Sequence, residues 1–258
     1  MRELFNSSAT VTLTAFYSLQ AMVTLPFRGG RSVTVLANRW AKTVNWVCGI
    51  RVRIDGLDRP LDAPAYVVVA NHTSHSDLLA LYAAVPVDMR PVAKRELGRI
   101  PIFGWVLRAG VAIMIDRGDR QQAQASIERA ARTIRAGRSV LMFPEGTRTP
   151  PGELGPLKKG PFHLALEAGV PMLPVGIVGS GDILMPGQLR VRSGVISVHV
   201  GKPISTRDFE NTTAGREALM AAMANALKGL MAQGHIGLDS PRREPYLLRS
   251  HGRENPKR

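Results

Sequence analysis

The sequence predicts an α/β fold, in which strands alternate with helices, preceded by a pair of N-terminal helices. Two observations favour this class. After Ile50, short apolar runs alternate with segments whose apolar residues recur at helical spacing. Before Ile50, a long uncharged stretch is followed by a basic amphipathic one. The 258 residues, 45% of them hydrophobic, suffice for one large domain or two small ones with a real core.

The first fifty residues are predicted to form a membrane-binding helical pair. Residues 4–27 carry no charge, and a helix that crosses a bilayer needs roughly 20 apolar residues. Several Asn, Ser, Thr and Gln residues interrupt this stretch, so a full span is marginal. Residues 33–47 then combine an apolar stripe with nearby cations, as interfacial helices do. A surface helix packed on its own domain would show the same pattern.

The remaining elements follow in order. Strands are predicted at residues 66–70, 111–115, 140–143, 172–178 and 195–200. Helices are predicted at residues 78–84, 121–136, 160–168 and 214–231, with Gly137 as the left-handed cap of the second. From Pro241 the chain is Arg-rich without an apolar pattern, which is typical of a disordered basic tail. We therefore expect helices over residues 1–50, an α/β domain over 51–240 and a tail over 241–258.

The formal charge of +14 indicates a polyanionic partner, either an anionic membrane surface, a phosphorylated substrate or nucleic acid. Nucleic acid is disfavoured because aromatic residues make up only 5% of the chain and no zinc-finger or RNA-binding motif occurs. A single cysteine, Cys48, excludes an internal disulfide framework and a Cys-rich zinc site.

The richest chemical segment is N-H-T-S-H-S-D, residues 71–77, between a predicted strand and a predicted helix. Sites in α/β sheets usually lie where strands end. On such a turn Asp77 can accept a hydrogen bond from one nitrogen of His72, which leaves the other nitrogen as a base. Alternatively, Asp77 is simply the N-cap of the helix.

Two rival chemistries use the same residues. His72, His75 and Asp77 are candidate metal ligands, although the remaining histidines show no paired spacing. Ser74 or Ser76 is a candidate nucleophile activated by histidine, although no G-x-S-x-G turn occurs in the chain.

A second segment, F-P-E-G-T-R at residues 143–148, also follows a predicted strand. Its proline and glycine set a turn, and Arg148 can grip a phosphate through two donors. Glu145 would repel phosphate, so we expect it to orient Arg148 or the substrate. A plain salt-bridged loop is the alternative. Arg117 lies two residues after the predicted strand at 111–115. It is a second phosphate ligand or part of a surface pair with Asp116. The run V-P-M-L-P-V at residues 170–175 is a core strand or the wall of an acyl tunnel.

The order of these blocks resembles the glycerolipid acyltransferase family, and its 1-acylglycerol-3-phosphate acyltransferase branch fits best. The likeness consists of N-H-x4-D, then G-x-x-x-x-I-D-R, F-P-E-G-T-R and V-P-x-x-P-V, and it runs over residues 67–178. It extends to A-K-R-E-L at residues 93–97 and K-K-G at residues 158–160. The resemblance implies a mixed β-sheet flanked by helices and a membrane-dipping helical pair.

The resemblance also implies a reaction, in which an acyl group passes directly to a lysophospholipid, with His72 as the base and Asp77 as its orienting partner. The implied substrate-binding residues are Lys94, Arg117, Glu145, Gly146, Thr147 and Arg148. The donor would be acyl-coenzyme A or acyl carrier protein, with no cofactor and no metal. We expect the enzyme at the cytoplasmic face of the inner membrane. Glycerol-3-phosphate or a lyso-ornithine lipid as acceptor, or a noncatalytic lipid-binding protein, remain open alternatives.

Overall fold

A seven-stranded mixed β-sheet forms the centre of the computed structural model, which describes residues 1–28, 30–115, 120–185 and 187–238. The strands are β1 (Ile50–Asp55), β2 (Val67–Ala70), β3 (Met89–Lys94), β4 (Ile113–Ile115), β5 (Ser139–Met142), β6 (Met172–Val178) and β7 (Gly194–Val200). Their order in the sheet is β1-β7-β6-β2-β5-β3-β4. All neighbouring pairs are parallel except β6 and β7. The carboxyl ends of β6, β2, β5, β3 and β4 therefore share one edge.

Helices cover both faces of this sheet. They are α1 (Arg2–Arg28), α2 (Gly30–Cys48), α3 (Ser76–Ala84), α4 (Phe103–Val106), α5 (Arg120–Arg135), α6 (Gly160–Ala168), α7 (Ser180–Ile183) and α8 (Thr213–Leu238). Short 3-10 helices occupy Arg95–Arg99 and Thr206–Asp208, and a π-helical turn occupies Leu107–Val111.

The core lies in two layers because alternate residues of each strand point to opposite faces. On β2, Val68 and Ala70 pack towards α2 and α3, whereas Val67 and Val69 pack towards α5, α6 and α8. Parallel strands covered on both sides are apolar throughout, which is why the short run Val67–Ala70 carries no polar residue. Burial of each large side chain, such as the fully buried Phe162, contributes roughly 1.5–3 kcal/mol.

The predicted α/β class, with helices on a mixed sheet and an N-terminal helical pair, is confirmed. The prediction at residues 172–178 coincides with β6, and that at 160–168 coincides with α6. Two strands, β1 and β3, were missed, and α8 extends further than the predicted residues 214–231. The predicted strand at 111–115 is shorter, since the chain stays wound up to Val111. The predicted tail at 241–258 lies outside the described residues.

The N-terminal pair exposes large apolar side chains, and polar contacts join its two helices. Large exposed apolar side chains of α1 are Leu4, Phe5, Val11, Phe16, Leu19, Met22 and Val23. Some of its polar residues instead bind α2. There the hydroxyls of Tyr17 and Thr43 lie 2.9 Å apart, and Trp40 Nε1 donates to Thr14 Oγ1 at 3.1 Å. None of the helices in the described residues is both long and apolar enough to cross a membrane.

Candidate active site

The two chemical segments of the sequence meet at one edge of the sheet. Residues 71–77 follow β2 and residues 143–148 follow β5, and these two strands are parallel neighbours. Lys94 is the last residue of β3, which lies beside β5, so its Cα is at the same edge. The sheet thus places the candidate residues at the carboxyl ends of its strands, where α/β folds usually bind substrate.

His72 and Asp77 form a hydrogen-bonded pair. His72 Nδ1 lies 2.7 Å from Asp77 Oδ2, with the imidazole 19% exposed and the carboxylate fully buried. The same oxygen accepts the backbone N–H groups of Thr73 and Ser74, each at 2.9 Å. A carboxylate in this place fixes a proton on Nδ1 and leaves Nε2 with its lone pair.

The alternative role of Asp77 as helix N-cap is not what the structure has. The residue before α3 is His75, and Asp77 lies inside the first turn of that helix. Its carboxylate points back into the preceding turn, where three donors converge on one oxygen.

Glu145 is buried beside this pair, with 3% of its surface exposed. Its Oε1 accepts the backbone N–H of His72 at 2.7 Å, and its Oε2 accepts the backbone N–H of Gly155 at 3.0 Å. The expected ion pair between Glu145 and Arg148 does not form in the described residues. The carboxylate is instead occupied by two main-chain donors, so it joins the segment after β5 to the segment after β2.

Three residues to which the sequence analysis assigned no role also fix the neighbourhood of His72. The ring of Phe143 stacks on the imidazole, with centroids 4.0 Å apart and planes 18° from parallel. The backbone N–H of Thr149 donates to the carbonyl of His72 at 2.9 Å. The Asn71 amide forms two hydrogen bonds with the main chain of Ile177. Contacts between strand ends depend on the sheet order, so no spacing in the sequence could have indicated them.

The turn that follows β5 presents Thr147 and Arg148 towards the exterior. Gly146 donates its N–H to the carbonyl of Phe143 at 3.1 Å and adopts a positive φ of 72°, a conformation that favours glycine. Thr147 is exposed and Arg148 is half-buried. Arg117, the other predicted phosphate ligand, lies outside the described residues.

The charge of Arg148 acts on His75. Partial burial lowers the pKa of His75, Arg148 and then His72 lower it further, and the carboxylate of Asp77 acts in the opposite direction. Arg148 and His75 therefore lie close enough to influence each other electrostatically, on the side of the site where residues 71–77 begin α3.

The geometry does not support a serine nucleophile or a metal site. Ser74 Oγ donates to the carbonyl of Leu184 at 2.7 Å, and Ser76 Oγ lies 2.9 Å from both Ser74 Oγ and the carbonyl of Ser180. Neither hydroxyl is hydrogen-bonded to His72 within the part of the chain that the structure describes. In the same part, no group of three or more His, Cys, Asp and Glu side chains is placed to hold a metal ion. Cys48 is buried in α2, and burial raises the pKa of its thiol.

The structure distinguishes the two alternatives for residues 170–175, a core strand or the wall of an acyl tunnel. Met172, Leu173 and Val175 of β6 are fully buried core residues, so the run at residues 170–175 is a core strand. An apolar pocket lies instead between the N-terminal helices and α3. Its lining includes Tyr17, Leu36, Trp40, Leu78, Tyr82 and Leu107. Leu78 and Tyr82 belong to α3, the helix whose first turn contains Asp77, and neither His72 nor Asp77 lines the pocket.

Comparison with known proteins gives a consistent result. The family model described as acyltransferase matches residues 51–178. The 1-acyl-sn-glycerol-3-phosphate acyltransferase alpha of Homo sapiens is 33% identical over 202 residues, which cover 76% of this chain and 70% of that protein. The 1-acyl-sn-glycerol-3-phosphate acyltransferase of Saccharomyces cerevisiae is 28% identical over 220 residues, covering 83% of this chain and 72% of that protein.

A solved structure shares the fold. The crystal structure of the 1-acyl-sn-glycerophosphate (LPA) acyltransferase PlsC from Thermotoga maritima superposes with a TM-score of 0.77. The match covers 94% of this chain and 100% of that one, at 22% sequence identity.

Proposed function

From the premise that the chain belongs to the acyltransferase family, in its 1-acyl-sn-glycerol-3-phosphate acyltransferase branch, we propose that it acylates the sn-2 hydroxyl of 1-acylglycerol-3-phosphate. The product is phosphatidic acid, an intermediate of phospholipid biosynthesis. The observation that carries the proposal is the hydrogen-bonded pair of His72 and Asp77, which lies at a sheet edge beside the turn that carries Arg148.

The proposed reaction needs one base. His72 Nε2 takes the proton of the acceptor hydroxyl while that oxygen attacks the thioester carbonyl of the donor. The tetrahedral intermediate then collapses, the carbon–sulfur bond breaks, and the imidazolium returns the proton to the leaving thiolate. Asp77 stabilises the imidazolium and keeps the reactive nitrogen free. General base catalysis of this kind contributes roughly 10²- to 10⁴-fold.

The acceptor phosphate is assigned to the basic side of the site. Arg148 provides two donors in a plane, Thr147 a hydroxyl, and Gly146 shapes the turn that carries them. Lys94, exposed at the end of β3, and Arg117 add positive charge. Glu145 is assigned a supporting role, since its two oxygens already accept main-chain hydrogen bonds.

The donor is acyl-coenzyme A or acyl carrier protein, and no cofactor or metal takes part in the proposed steps. Both donors present the same phosphopantetheine thioester, so the residues around His72 suit either. The apolar pocket between α1, α2 and α3 is the proposed place of a fatty acyl chain, because its lining residues are mostly apolar and two of them belong to α3, the helix that carries Asp77.

We further propose that residues 1–50 hold the protein on an anionic membrane surface, at the cytoplasmic face of the inner membrane. Two features support this. The outer face of α1 is apolar, and the exposed stripe of α2 consists of Val35, Arg39, Lys42 and Trp46. Apolar patches of this extent usually mark a contact surface, and cations among them suit lipid phosphates. Residues 51–240 then form the catalytic domain, and the basic tail at 241–258 adds electrostatic adhesion.

The test is acyl transfer from labelled acyl-coenzyme A to 1-acylglycerol-3-phosphate by the purified protein and by His72→Ala. Acyl carrier protein as donor, and glycerol-3-phosphate and lyso-ornithine lipid as acceptors, are compared in parallel. We expect product from the wild type and a loss of at least about 100-fold in the variant. Equal activity in both proteins would remove His72 from the mechanism. Absence of product with every acceptor would favour a noncatalytic lipid-binding role.

A further inference from the structure

One short segment, residues 143–149, contacts His72 from three directions. Its first residue stacks on the imidazole, its third accepts the N–H of His72, and its last donates to the carbonyl of His72. The same segment carries Arg148. The elements assigned to the base and to the phosphate are thus joined by direct contacts and not merely adjacent.

The main chain of His72 is held on both of its polar groups. Its N–H donates to Glu145 Oε1 at 2.7 Å, and its carbonyl accepts the N–H of Thr149 at 2.9 Å. Thr149 Oγ1 adds a longer hydrogen bond to the same carbonyl, at 3.3 Å. A carboxylate–amide hydrogen bond is charge-assisted and roughly twice as strong as a neutral one. The backbone of the base therefore moves only when the turn after β5 moves with it.

The imidazole itself is held at its edge and on its face. Asp77 binds the edge through Nδ1, and Phe143 covers one face with its ring at 4.0 Å. A single hydrogen bond leaves the ring free to tilt about the bond to Cβ, since the χ2 torsion of histidine is broad. A parallel aromatic ring against the face removes that freedom, because tilting the imidazole would drive it into Phe143.

We propose that Phe143 and Glu145 are positioning residues for His72, which hold Nε2 at a fixed place relative to the phosphate-binding turn. This inference rests on the acyl transfer proposed above. The acceptor is bound through its phosphate at Arg148, and its hydroxyl must reach Nε2 within hydrogen-bond distance. A displacement of about 1 Å of a catalytic group can lower the rate roughly 100-fold. A segment that both contacts the base and carries the phosphate ligand therefore affects kcat directly.

The first part of the experiment separates kcat from KM. Phe143→Leu keeps an apolar side chain and removes the ring, whereas Phe143→Tyr keeps the ring face. We expect kcat to fall roughly 10- to 100-fold in Phe143→Leu, with the KM for 1-acylglycerol-3-phosphate within about twofold of the wild type, and kcat to be largely retained in Phe143→Tyr. Phe209→Leu, the same replacement at a partly buried residue packed on the other layer of the core, is the matched control. A Phe143→Leu kcat no lower than that of Phe209→Leu, or a loss confined to KM, would overturn the assignment.

Glu145→Gln probes the second contact. Glutamine has one acceptor oxygen and one donor NH2 group, so it can satisfy the N–H of His72 or that of Gly155 but not both. A positioning role predicts a lower kcat at unchanged KM for the acceptor. A direct contact between Glu145 and the acceptor would instead raise KM, and that result would overturn the positioning role for this residue.

A nuclear magnetic resonance measurement tests the stacking of Phe143 on His72 without reference to turnover. In the wild type, the ring protons of His72 lie over the face of Phe143 and are expected upfield of those of an exposed histidine; they are identified by their absence in His72→Ala. In Phe143→Leu they should move downfield, while those of His163 and His199 stay in place. Unmoved His72 resonances would overturn the proposal even where activity changes. Moved resonances in a protein that forms no product would leave the stacking of Phe143 on His72 intact and contradict the proposed function alone.

Discussion

Asn71 and Ile177 are joined by two hydrogen bonds in which one side chain replaces a strand partner. Asn71 Nδ2 donates to the carbonyl of Ile177 at 2.9 Å, and Asn71 Oδ1 accepts the N–H of Ile177 at 2.7 Å. The pairing of β2 with β6 ends one residue earlier, at Ala70 and Val175. The amide therefore continues the ladder at the place where the chain leaves the sheet towards His72.

The first prediction follows from this bridge. Asn71→Leu fills a similar volume but leaves the N–H and the carbonyl of Ile177 buried without partners, which costs about 1–3 kcal/mol for each group. We expect the free energy of unfolding, measured by urea denaturation, to fall by roughly 2–4 kcal/mol, together with a loss of acyl transfer. Asn211→Leu, at an exposed position, is the control. Equal stability of the two variants would show that the bridge contributes nothing.

The second prediction concerns the orientation of the base. In Asp77→Asn the carboxamide has one acceptor oxygen for three donors, which are His72 Nδ1 and the N–H groups of Thr73 and Ser74. The imidazole then loses its fixed proton position, and kcat should fall roughly 10²- to 10⁴-fold. Asp208→Asn, in an exposed 3-10 helix, should behave as the wild type. Wild-type kcat in Asp77→Asn would exclude the proposed pair.

The third prediction concerns the acceptor. Removal of the guanidinium in Arg148→Ala should raise the KM for 1-acylglycerol-3-phosphate roughly 10- to 100-fold, since a charge-assisted hydrogen bond contributes about 1.5–3 kcal/mol. Arg207→Ala, which removes an exposed arginine distant in sequence from both motifs, is the comparison. Should Arg148→Ala retain full activity, the phosphate would not bind there, and a head group without phosphate would become the better assignment.

The fourth prediction concerns the outer face of α1. Phe16 is 58% exposed in the middle of this face. Phe16→Asp places a carboxylate where we expect acyl chains and should reduce co-sedimentation with vesicles that contain anionic lipid. Lys228→Gln changes the net charge by the same amount on the exposed side of α8 and controls for electrostatics. Equal loss in both variants would mean that charge alone, and not insertion of α1, holds the protein on the vesicle.

The sequence indicated most of the elements and missed two strands. Strand β1 was missed although its residues Ile50–Asp55 alternate between apolar and charged side chains, as a half-buried edge strand does, and β3 was missed because Arg90 and Pro91 interrupt its apolar run. The polar residues of α1 were interpreted as evidence that this helix does not fully span a membrane. In the structure, Thr14 and Tyr17 use their hydroxyls to bind α2. In each case the deciding partner is distant in the chain.

Partners that are distant in the chain also limited the prediction of the site. His72 and Asp77 are five residues apart on one turn, so the sequence could offer their pairing as one of two roles for Asp77, beside that of helix N-cap. Glu145 was expected near Arg148, its neighbour in sequence, but its oxygens accept hydrogen bonds from His72 and Gly155. That partnership depends on β2 and β5 being adjacent, and sheet order is set by packing of the whole core.

The last prediction concerns stability and pH. His199, on β7, has 6% of its surface exposed, and its Nε2 finds no hydrogen-bond partner among the described residues. Burial lowers the pKa of His199 from its ordinary value of 6.5, although Asp55, whose Oδ2 lies 3.6 Å from Nδ1, acts in the opposite direction. Well above pH 6.5, both the folded and the unfolded chain carry a neutral imidazole at position 199. As the pH falls through that value, the unfolded chain takes up the proton first, so the free energy of unfolding decreases.

His199→Gln cannot be protonated in this range and should remove part of the decrease. We expect urea midpoints of the wild type to fall between pH 7.5 and pH 5.5, and those of His199→Gln to fall less steeply, whatever the difference between the two proteins at pH 7.5. Some slope should remain in the variant, because the pKa of His75 is also lowered and acts with the same sign. Asn211→Gln, at an exposed position without a titratable group, is the control and should keep the wild-type slope. Identical slopes in the wild type and in His199→Gln would mean that the buried imidazole takes up its proton as readily in the folded chain as in the unfolded one.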